Sequence, residues 1–262
     1  MSKGALSCRR GILKLGFFVL SLFGASAPAI ADLPELVLRS KPSVLLVGTF
    51  VETDRPRFTF RGTGFVVANG NLAFTNAHVL PETLGGDRDI RLVVQVRVGS
   101  REWSSRAAKV VSVDAAHDLA LIRFDGPAVP SLKLAQTGLA REGGSIALMG
   151  FPLGGALGFS LVTHRGVISS VTPIALPPPA AQNLNERAIR QLREGSFDIL
   201  QLDATAYPGN SGGPVFDVDS GEVVGIVNMV LVKGSKETAL THPSGISYAI
   251  PIQFASQMLL GL

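Results

Sequence analysis

Cysteine, histidine and tyrosine are scarce in this chain of 262 residues, which has one Cys, four His and two Tyr. The only cysteine, Cys8, precedes an apolar run near the N-terminus, so the rest of the chain has no thiol chemistry and forms no disulfide. No two histidines have the spacing of a helical zinc site, which argues against a metal centre of that kind. The Gly-rich segment 150–155 lacks the Gly-Lys-Ser/Thr ending of a phosphate-binding loop and is typical of a turn.

An excess of charge is also missing once the N-terminal segment is set aside. The full chain has 24 Lys and Arg against 20 Asp and Glu, a net charge of +4. Removing the four basic residues of the first 31 leaves 20 basic against 20 acidic residues; the four are Lys3, Arg9, Arg10 and Lys14. This balance, together with aromatic residues that are scattered rather than interleaved with basic ones, gives no support to a nucleic-acid partner.

Residues 1–31 have the three parts of an export signal. A basic start is followed by an apolar run at 15–27 and by the small-x-small pattern Ala29-Ile30-Ala31. The run is too short to span a bilayer comfortably, so we expect cleavage after Ala31 and a bacterial periplasmic or secreted product without a membrane contact. Segment 8–14 fits the twin-arginine pattern, and an ordinary Sec signal is the alternative. An uncleaved anchor is less favoured.

The remaining 231 residues are enough to bury a core without disulfides. Short apolar runs separated by Gly and Pro turns predict an all-β sandwich or barrel. The run 90–98 alternates in part between apolar and polar residues, as a half-buried strand does. Segments 183–194 and 252–260 are typical of helices. Further strands are predicted at 44–47, 58–60, 64–67, 72–75, 107–113, 119–124, 145–149, 161–171, 199–202, 223–231 and 247–250.

The segment 207–214 places Ser211 between glycines, with a proline just outside each flank. Glycine reaches positive φ without a steric penalty, and proline fixes φ and donates no hydrogen bond. The segment is therefore a poor helix or strand and predicts a tight loop. Such a loop presents one hydroxyl and leaves backbone N–H groups free to converge on a developing oxyanion, which makes Ser211 a candidate nucleophile.

His78 and Asp118 are the candidate base and acid. His78 lies after an apolar run among small residues, which leave room for a base to approach a nucleophile; a structural histidine is the alternative. Asp118 begins the apolar run 118–122, where a partly buried carboxylate is understandable as an acceptor for an imidazole N–H. The order His78, Asp118, Ser211 is that of chymotrypsin-type enzymes. The other histidines are expected to face away from Asp118 or to lie in polar, loop-like surroundings: His117, His164 and His242.

Three segments, 75–79, 118–121 and 209–214, resemble the signature segments of trypsin-like serine proteases of the HtrA/Deg type. Segments 62–67 and 245–251 are similar to that family too, and the resemblance extends from about residue 42 to the C-terminus. It implies an all-β fold of two six-stranded β-barrels, with the site in the cleft between them. The protease domain, 32–262, would comprise a first barrel at about 37–125, a linker at about 126–140, a second barrel at about 141–251 and a C-terminal helix at 252–261.

The resemblance also implies a role for each candidate. Ser211 would attack a peptide carbonyl, His78 would carry its proton to the leaving amine, and Asp118 would orient the imidazole. The N–H groups of Gly209 and Ser211 would form the oxyanion hole, with Asn210 contributing through its place in the loop. No metal or organic cofactor is required, and the partner is a protein or peptide substrate.

The primary specificity pocket follows from the resemblance as well. Thr205 would lie at its base, where it offers no carboxylate to an Arg or Lys side chain, so trypsin specificity is disfavoured. The wall would be formed by Val227, Asn228 and Met229, which favours cleavage after a medium apolar residue.

The sequence departs from the family pattern in two places. A PDZ domain usually follows in this family, but eleven residues follow Pro251, so we expect none here. The segment 172–197 is longer than usual, and we hypothesise that its part 183–194 gates the site; a solvated decoration is the alternative. Relatives are often trimers, so a homo-oligomer is expected, but the residues before Gly64 are not diagnostic of it.

Two functions stay open at this point. One is a periplasmic endopeptidase that acts on unfolded or misfolded proteins, or on a dedicated substrate. The other is a protease-fold binding or scaffold protein whose oxyanion loop stays collapsed. The presence of all three candidate side chains favours the enzyme, and the export signal argues against a third reading, a cytoplasmic esterase.

Overall fold

The computed structural model describes Met1 and seven longer stretches of the chain: residues 32–86, 88–99, 102–136, 140–154, 158–174, 197–228 and 245–262. The predicted export signal after Met1, the helix predicted at 183–194 and thus the hypothesised gate, Met229 and His242 lie outside these residues. Neither α-helix within them has the length and hydropathy needed to cross a bilayer.

The first barrel closes six strands in the spatial order β1-β2-β3-β6-β5-β4, and every neighbouring pair is antiparallel. All five residues of β3 and five of the six in β6 are buried, so the pair that leads into the candidate site is covered on both faces. The strands are β1 Val44–Phe50, β2 Phe58–Val67, β3 Leu72–Asn76, β4 Arg91–Val98, β5 Glu102–Asp114 and β6 Leu119–Phe124.

The second barrel repeats this arrangement, in the order β10-β11-β12-β9-β8-β7, again with antiparallel pairs. The strand β11 of this barrel is buried at every position. Two closed six-stranded barrels and a short C-terminal helix confirm the predicted fold. The strands are β7 Ser145–Gly150, β8 Val162–Ile174, β9 Phe197–Asp203, β10 Pro214–Asp217, β11 Val223–Asn228 and β12 Ile246–Pro251.

Two α-helices lie within the described residues and flank the barrels, and one of them lies outside the sequence-based predictions. The helix α1, Leu33–Ser40, carries a proline and Glu35 in its first turn and Arg39 in its last, which are favourable start and stop residues. The second helix, α2, spans Ile252–Leu260, the same residues as the predicted one.

The core is continuous across the two barrels. Its larger cluster joins first-barrel residues such as Phe74 and Leu119 to second-barrel residues such as Phe216 and Ile226, and Leu36 of α1 inserts into it. A smaller cluster, which includes Val47 and Ile122, fills the rest of the first barrel. The helix α1 is therefore part of the shared core and not an appended segment.

Leu36→Ala tests this role of α1, with Leu38→Ala as the control on the same helix. Leu36 is 0% exposed and Leu38 is 72% exposed. We expect Leu36→Ala to lower the free energy of unfolding by about 2–5 kcal/mol, because it opens a cavity, and Leu38→Ala to change it by less than about 0.5 kcal/mol. Urea denaturation measures both values. Equal losses for the two variants would contradict insertion of α1 into the core.

Candidate active site

His78 lies in a 3₁₀ turn, Ala77–Val79, that directly follows β3. The side chain of Arg61, on β2, donates to the carbonyl oxygens that follow the histidine: Nε to Val79 at 2.6 Å and a terminal nitrogen to Leu80 at 2.9 Å. The turn is thus held at both ends, by β3 before it and by Arg61 of β2 after it, so the main chain that carries the imidazole is fixed.

Asp118 binds His78 through both carboxylate oxygens. Oδ2 lies 2.6 Å from His78 Nδ1, and Oδ1 accepts the His78 backbone N–H at 2.9 Å. The backbone of Asp118 has a positive φ of 53°, and its carbonyl accepts from Ala77 N and from the Asn76 amide. This geometry assigns the Nδ1 proton to the bond with Asp118 and leaves Nε2 as the acceptor of the imidazole.

Asn228, at the end of β11, supplies a further donor to the same carboxylate. Its Nδ2 lies 2.9 Å from Asp118 Oδ2, and the residue is fully buried. A side chain of the second barrel therefore holds the acid of the first barrel. The sequence predicts Asn228 as part of a pocket wall, and this contact to Asp118 is an addition that the sequence does not reveal.

Ser211 lies in the loop between β9 and β10, and its backbone packs against the first barrel. Its carbonyl accepts from Thr63 N at 2.9 Å. A Cβ on the next residue, Gly212, would overlap the Thr63 carbonyl oxygen and come within 3.1 Å of Asn76 N. The loop thus lies directly against the strand ends that carry His78.

No hydrogen bond joins the Ser211 hydroxyl to the His78 ring, both of which belong to the described residues. The structure therefore pairs His78 with Asp118 and places the Ser211 loop against the same strand ends, but the Ser211 hydroxyl is not hydrogen-bonded to the imidazole. Catalytic hydrogen bonds commonly tighten only when substrate is bound, so this geometry is compatible with a nucleophile and its base.

Within residues 209–213, two backbone N–H groups donate to no protein acceptor in the described part of the chain, those of Gly209 and Ser211. Gly209 has a φ of 104°, a conformation that favours glycine, and a Cβ there would overlap the Phe151 carbonyl oxygen. Asn210 is fully buried behind them, and its N–H and carbonyl bond within the loop to Tyr207 and Gly213. Two amides remain available to one incoming oxygen.

The residues predicted for the primary pocket have different environments. Thr205 is half-buried and lines an open cavity of about 510 Å³ beside β8 and the end of β9. Val227 is fully buried, and its backbone bonds to Gly212 and Gly213. Thr205 lines that cavity, whereas Val227 and Asn228 do not. Asn228 is hydrogen-bonded to Asp118 instead, and Met229 lies outside the described residues.

His117 forms a second His–Asp pair, with its Nδ1 2.6 Å from Asp114 Oδ2. Its ring stacks on Phe254 of α2, with centroids 3.8 Å apart, and meets the edge of Phe197. The hydrogen bond from His117 holds the pKa of the Asp114 carboxyl below its ordinary value, against the opposing effect of burial. This pair links the turn before Asp118 to the C-terminal helix.

His164 departs from its expected polar, loop-like surroundings. It lies in β8, half-buried against Tyr207, and its Nε2 is buried without a hydrogen-bond partner among the residues that the structure describes. Desolvation lowers the pKa of this ring. Among the described residues, no group of three or more His, Cys, Asp or Glu side chains is arranged to hold a metal ion.

Comparisons with known proteins identify the family of the chain. Residues 62–226 match the family model of the trypsin-like peptidase domain. The chain belongs to the trypsin-like peptidase family. The curated proteins to which it is similar are of the HtrA/DegP type, in agreement with the resemblance found in its sequence.

Three of these relatives show the extent of the similarity. A mitochondrial serine protease HTRA2 of Drosophila pseudoobscura pseudoobscura is 33% identical over 208 residues, 78% of this chain and 40% of the relative. Serine protease HTRA1A of Danio rerio is 31% identical over 88% of this chain and 40% of the relative. A probable periplasmic serine endoprotease, DegP-like, of Pseudomonas fluorescens is 30% identical over 74% and 33%. The chain thus spans well under half the length of these relatives.

Two residues of the candidate site, Arg61 and Thr63, are missed by the sequence-based reasoning. Both lie around Gly62, whose added Cβ would come within 2.6 Å of the Val79 side chain. Glycines inside a strand mark a close approach of another backbone, so the pattern Gly62-Thr63-Gly64 is the signal that could have found them.

Asp114→Asn tests the His117–Asp114 pair through its pH dependence. Because the folded-state pKa of Asp114 is lowered from 3.8, its contribution to stability is present above that value and is lost as the pH falls through the folded-state pKa. We expect Asp114→Asn to lower the melting temperature at pH 7 and to lower it progressively less as the pH falls below 3.8 and through the folded-state pKa. Thermal denaturation over a series of decreasing pH values, with the exposed Asp219→Asn as control, measures this. A loss of equal size at every pH would refute it.

Proposed function

We propose that this chain is a serine endopeptidase that hydrolyses peptide bonds through Ser211, His78 and Asp118. The observation that carries the proposal is the 2.6 Å hydrogen bond from His78 Nδ1 to Asp118. It lies beside the Ser211 loop, in which the backbone N–H groups of Gly209 and Ser211 donate to no acceptor among the described residues. Membership of the trypsin-like peptidase family, with relatives named as serine proteases, supports it.

In this mechanism, the Ser211 hydroxyl attacks the scissile carbonyl carbon while His78 Nε2 takes the hydroxyl proton. The carbonyl oxygen becomes an oxyanion and accepts hydrogen bonds from the N–H groups of Gly209 and Ser211. The tetrahedral intermediate collapses as His78 gives its proton to the leaving amine, which breaks the C–N bond and leaves an acyl ester on Ser211. Water then attacks the ester with His78 again as base, and the acid and the free serine are released.

The remaining groups stabilise charge and orientation. Asp118 lies against the imidazole and stabilises the positive charge that the imidazole gains when it takes the serine proton. Each oxyanion donor is worth about 3–4 kcal/mol in proteases generally, because the donors meet the oxygen only once it carries charge. No metal or organic cofactor takes part in these steps.

We further propose that the substrates are proteins or peptides outside the bacterial cytoplasm, with protein quality control as the biological role. The export signal predicted at 1–31 supports this location, as do relatives named periplasmic, whereas other relatives are named mitochondrial. A homo-oligomer remains part of the proposal by resemblance, and no nucleic acid or membrane partner is included.

The alternative is a protease-fold binding or scaffold protein. One observation favours it: no hydrogen bond joins Ser211 to His78 among the described residues. A protein of this kind would bind peptides in the cleft without acylation of Ser211, so covalent chemistry at Ser211 separates the two functions.

A serine-directed fluorophosphonate probe makes this separation. We expect the wild-type protein to be labelled and to cleave a denatured protein substrate, and Ser211→Ala to lose the label and at least about 10⁴-fold of the turnover. Ser256→Ala is the matched control, because Ser256 is a half-buried hydroxyl that bonds to Ile252 of α2, away from the site. Absence of labelling in the folded wild-type protein, with or without added peptide, would refute the enzyme.

The proposed specificity is cleavage after a medium apolar residue, and Thr205→Asp tests the position of the pocket. A carboxylate at the base should pair with Arg or Lys, so we expect the kcat/KM ratio of basic over apolar residues before the cut bond to rise by about tenfold or more. A peptide library with one varied position measures the ratio. Ser220→Asp, on the exposed β10–β11 turn, should leave it unchanged. An unchanged ratio in Thr205→Asp would mean that Thr205 does not face the bound side chain.

A further inference from the structure

The side chain of Thr63 connects the two barrels at the candidate oxyanion hole. Thr63 lies in β2 of the first barrel and is fully buried. Its hydroxyl donates to the carbonyl of Gly209 at 2.7 Å, across 146 positions of sequence, and accepts the Phe151 N–H at 3.1 Å. Both partners belong to the loops of the second barrel, so one hydroxyl of the first barrel reaches two of them.

The backbone of Thr63 continues the same contact. Its N–H donates to the carbonyl of Ser211 at 2.9 Å, and its carbonyl accepts the Thr75 hydroxyl at 2.8 Å. Thr63 therefore holds the carbonyls of both residues whose N–H groups are the proposed oxyanion donors, Gly209 and Ser211. The Thr75 bond fixes Thr63 itself within the first barrel.

Gly209 needs such restraint because of its conformation. A glycine samples a wide range of φ and ψ, so its two flanking peptide planes rotate unless their polar groups are held. The plane before Gly209 is held by Leu153 N, which donates to the Pro208 carbonyl at 2.8 Å. Because C=O and N–H point in opposite directions in a trans peptide, that bond directs the Gly209 N–H to the other side. The plane after Gly209 is held by the Thr63 hydroxyl.

Phe151 adds a second route from the same hydroxyl to Gly209. The Phe151 N–H bonds to Thr63 Oγ1, and its carbonyl lies so close to Gly209 that an added Cβ would overlap it. The hydroxyl thus fixes Gly209 directly through its carbonyl and indirectly through the residue that packs on it.

We propose that Thr63 is a positioning residue for the oxyanion hole: it keeps the Gly209 N–H aimed at the substrate oxygen without touching the substrate. The inference rests on the proposed function. It predicts a loss in the chemical step with substrate binding retained, because the oxyanion contact strengthens only in the transition state. A merely structural threonine would lower stability and leave kcat unchanged.

Thr63→Val and Thr63→Ser together form the test. Valine removes the hydroxyl at nearly constant volume and keeps the backbone bond to Ser211, whereas serine keeps the hydroxyl. On a fluorogenic peptide, we expect Thr63→Val to lower kcat at least about tenfold with KM within about threefold of wild type. Its affinity for a peptide boronic acid, whose oxygen occupies the oxyanion position, should fall by a similar factor. Thr63→Ser should stay within about threefold of wild type in both.

Ile122→Val is the control for stability, because it shortens a fully buried side chain of the first barrel away from the loop. All assays are run well below the melting temperature of each variant. If Thr63→Val matches Ile122→Val in kcat and boronate affinity, the positioning role is overturned. If Thr63→Val does not fold, Thr63→Cys replaces it, since a thiol is a weaker donor; an intermediate kcat supports the role, and a wild-type kcat overturns it.

Failure of the proposed function is distinguishable from failure of this inference. A wild-type protein without Ser211-dependent turnover would remove both together. An active wild-type protein with an unaffected Thr63→Val variant would remove the role of Thr63 alone.

Discussion

The Asp118 carboxylate is the constraint on which the rest of the site depends. Its side chain is 13% exposed, and a charge so far removed from water is tolerated only when hydrogen bonds replace the lost hydration. Three donors do so: the ring and the backbone N–H of His78, and the amide of Asn228. Because the last of these belongs to the second barrel, satisfying one carboxylate requires both barrels to be in place.

The junction between the barrels repeats this principle with backbone groups. Thr63 holds the carbonyls of Gly209 and Ser211, and the N–H groups of these two residues donate to no acceptor within the described chain. Arg61 donates in a similar way to the two carbonyls that follow His78. Arg61 and Thr63 are two positions apart in β2; Arg61 restrains the turn of the candidate base, and Thr63 restrains the loop of the candidate nucleophile.

The fold and the candidate catalytic residues could be predicted because their signals are local. Gly and Pro turns delimit the strands, and the segments around His78, Asp118 and Ser211 carry recognisable residues at short spacing. The ends of strands were harder to predict. The strand β5 begins at Glu102 rather than near 107, because its first residues pair with β4 but are too polar to show the apolar pattern of a strand. The partners of Asp118 and Gly209 are harder to predict, because Asn228 and Thr63 reach them across 110 and 146 positions. The glycines beside Thr63 indicate a close approach at β2 but not its partner, and Asn228 carries no local mark of its contact.

The glycines of the nucleophile loop have a consequence for how this protein can vary. At Gly209 and Gly212 a single methyl group would collide with main-chain oxygens of Phe151 and Thr63, which no rotamer change can relieve. These two positions therefore need glycine for clearance as well as for the positive φ of 104° at Gly209 and 83° at Gly212. Any larger residue at either position would have to displace Phe151 or Thr63 at the junction between the barrels. A change in the nucleophile loop at these positions therefore requires a compensating change in the main chain that packs against it.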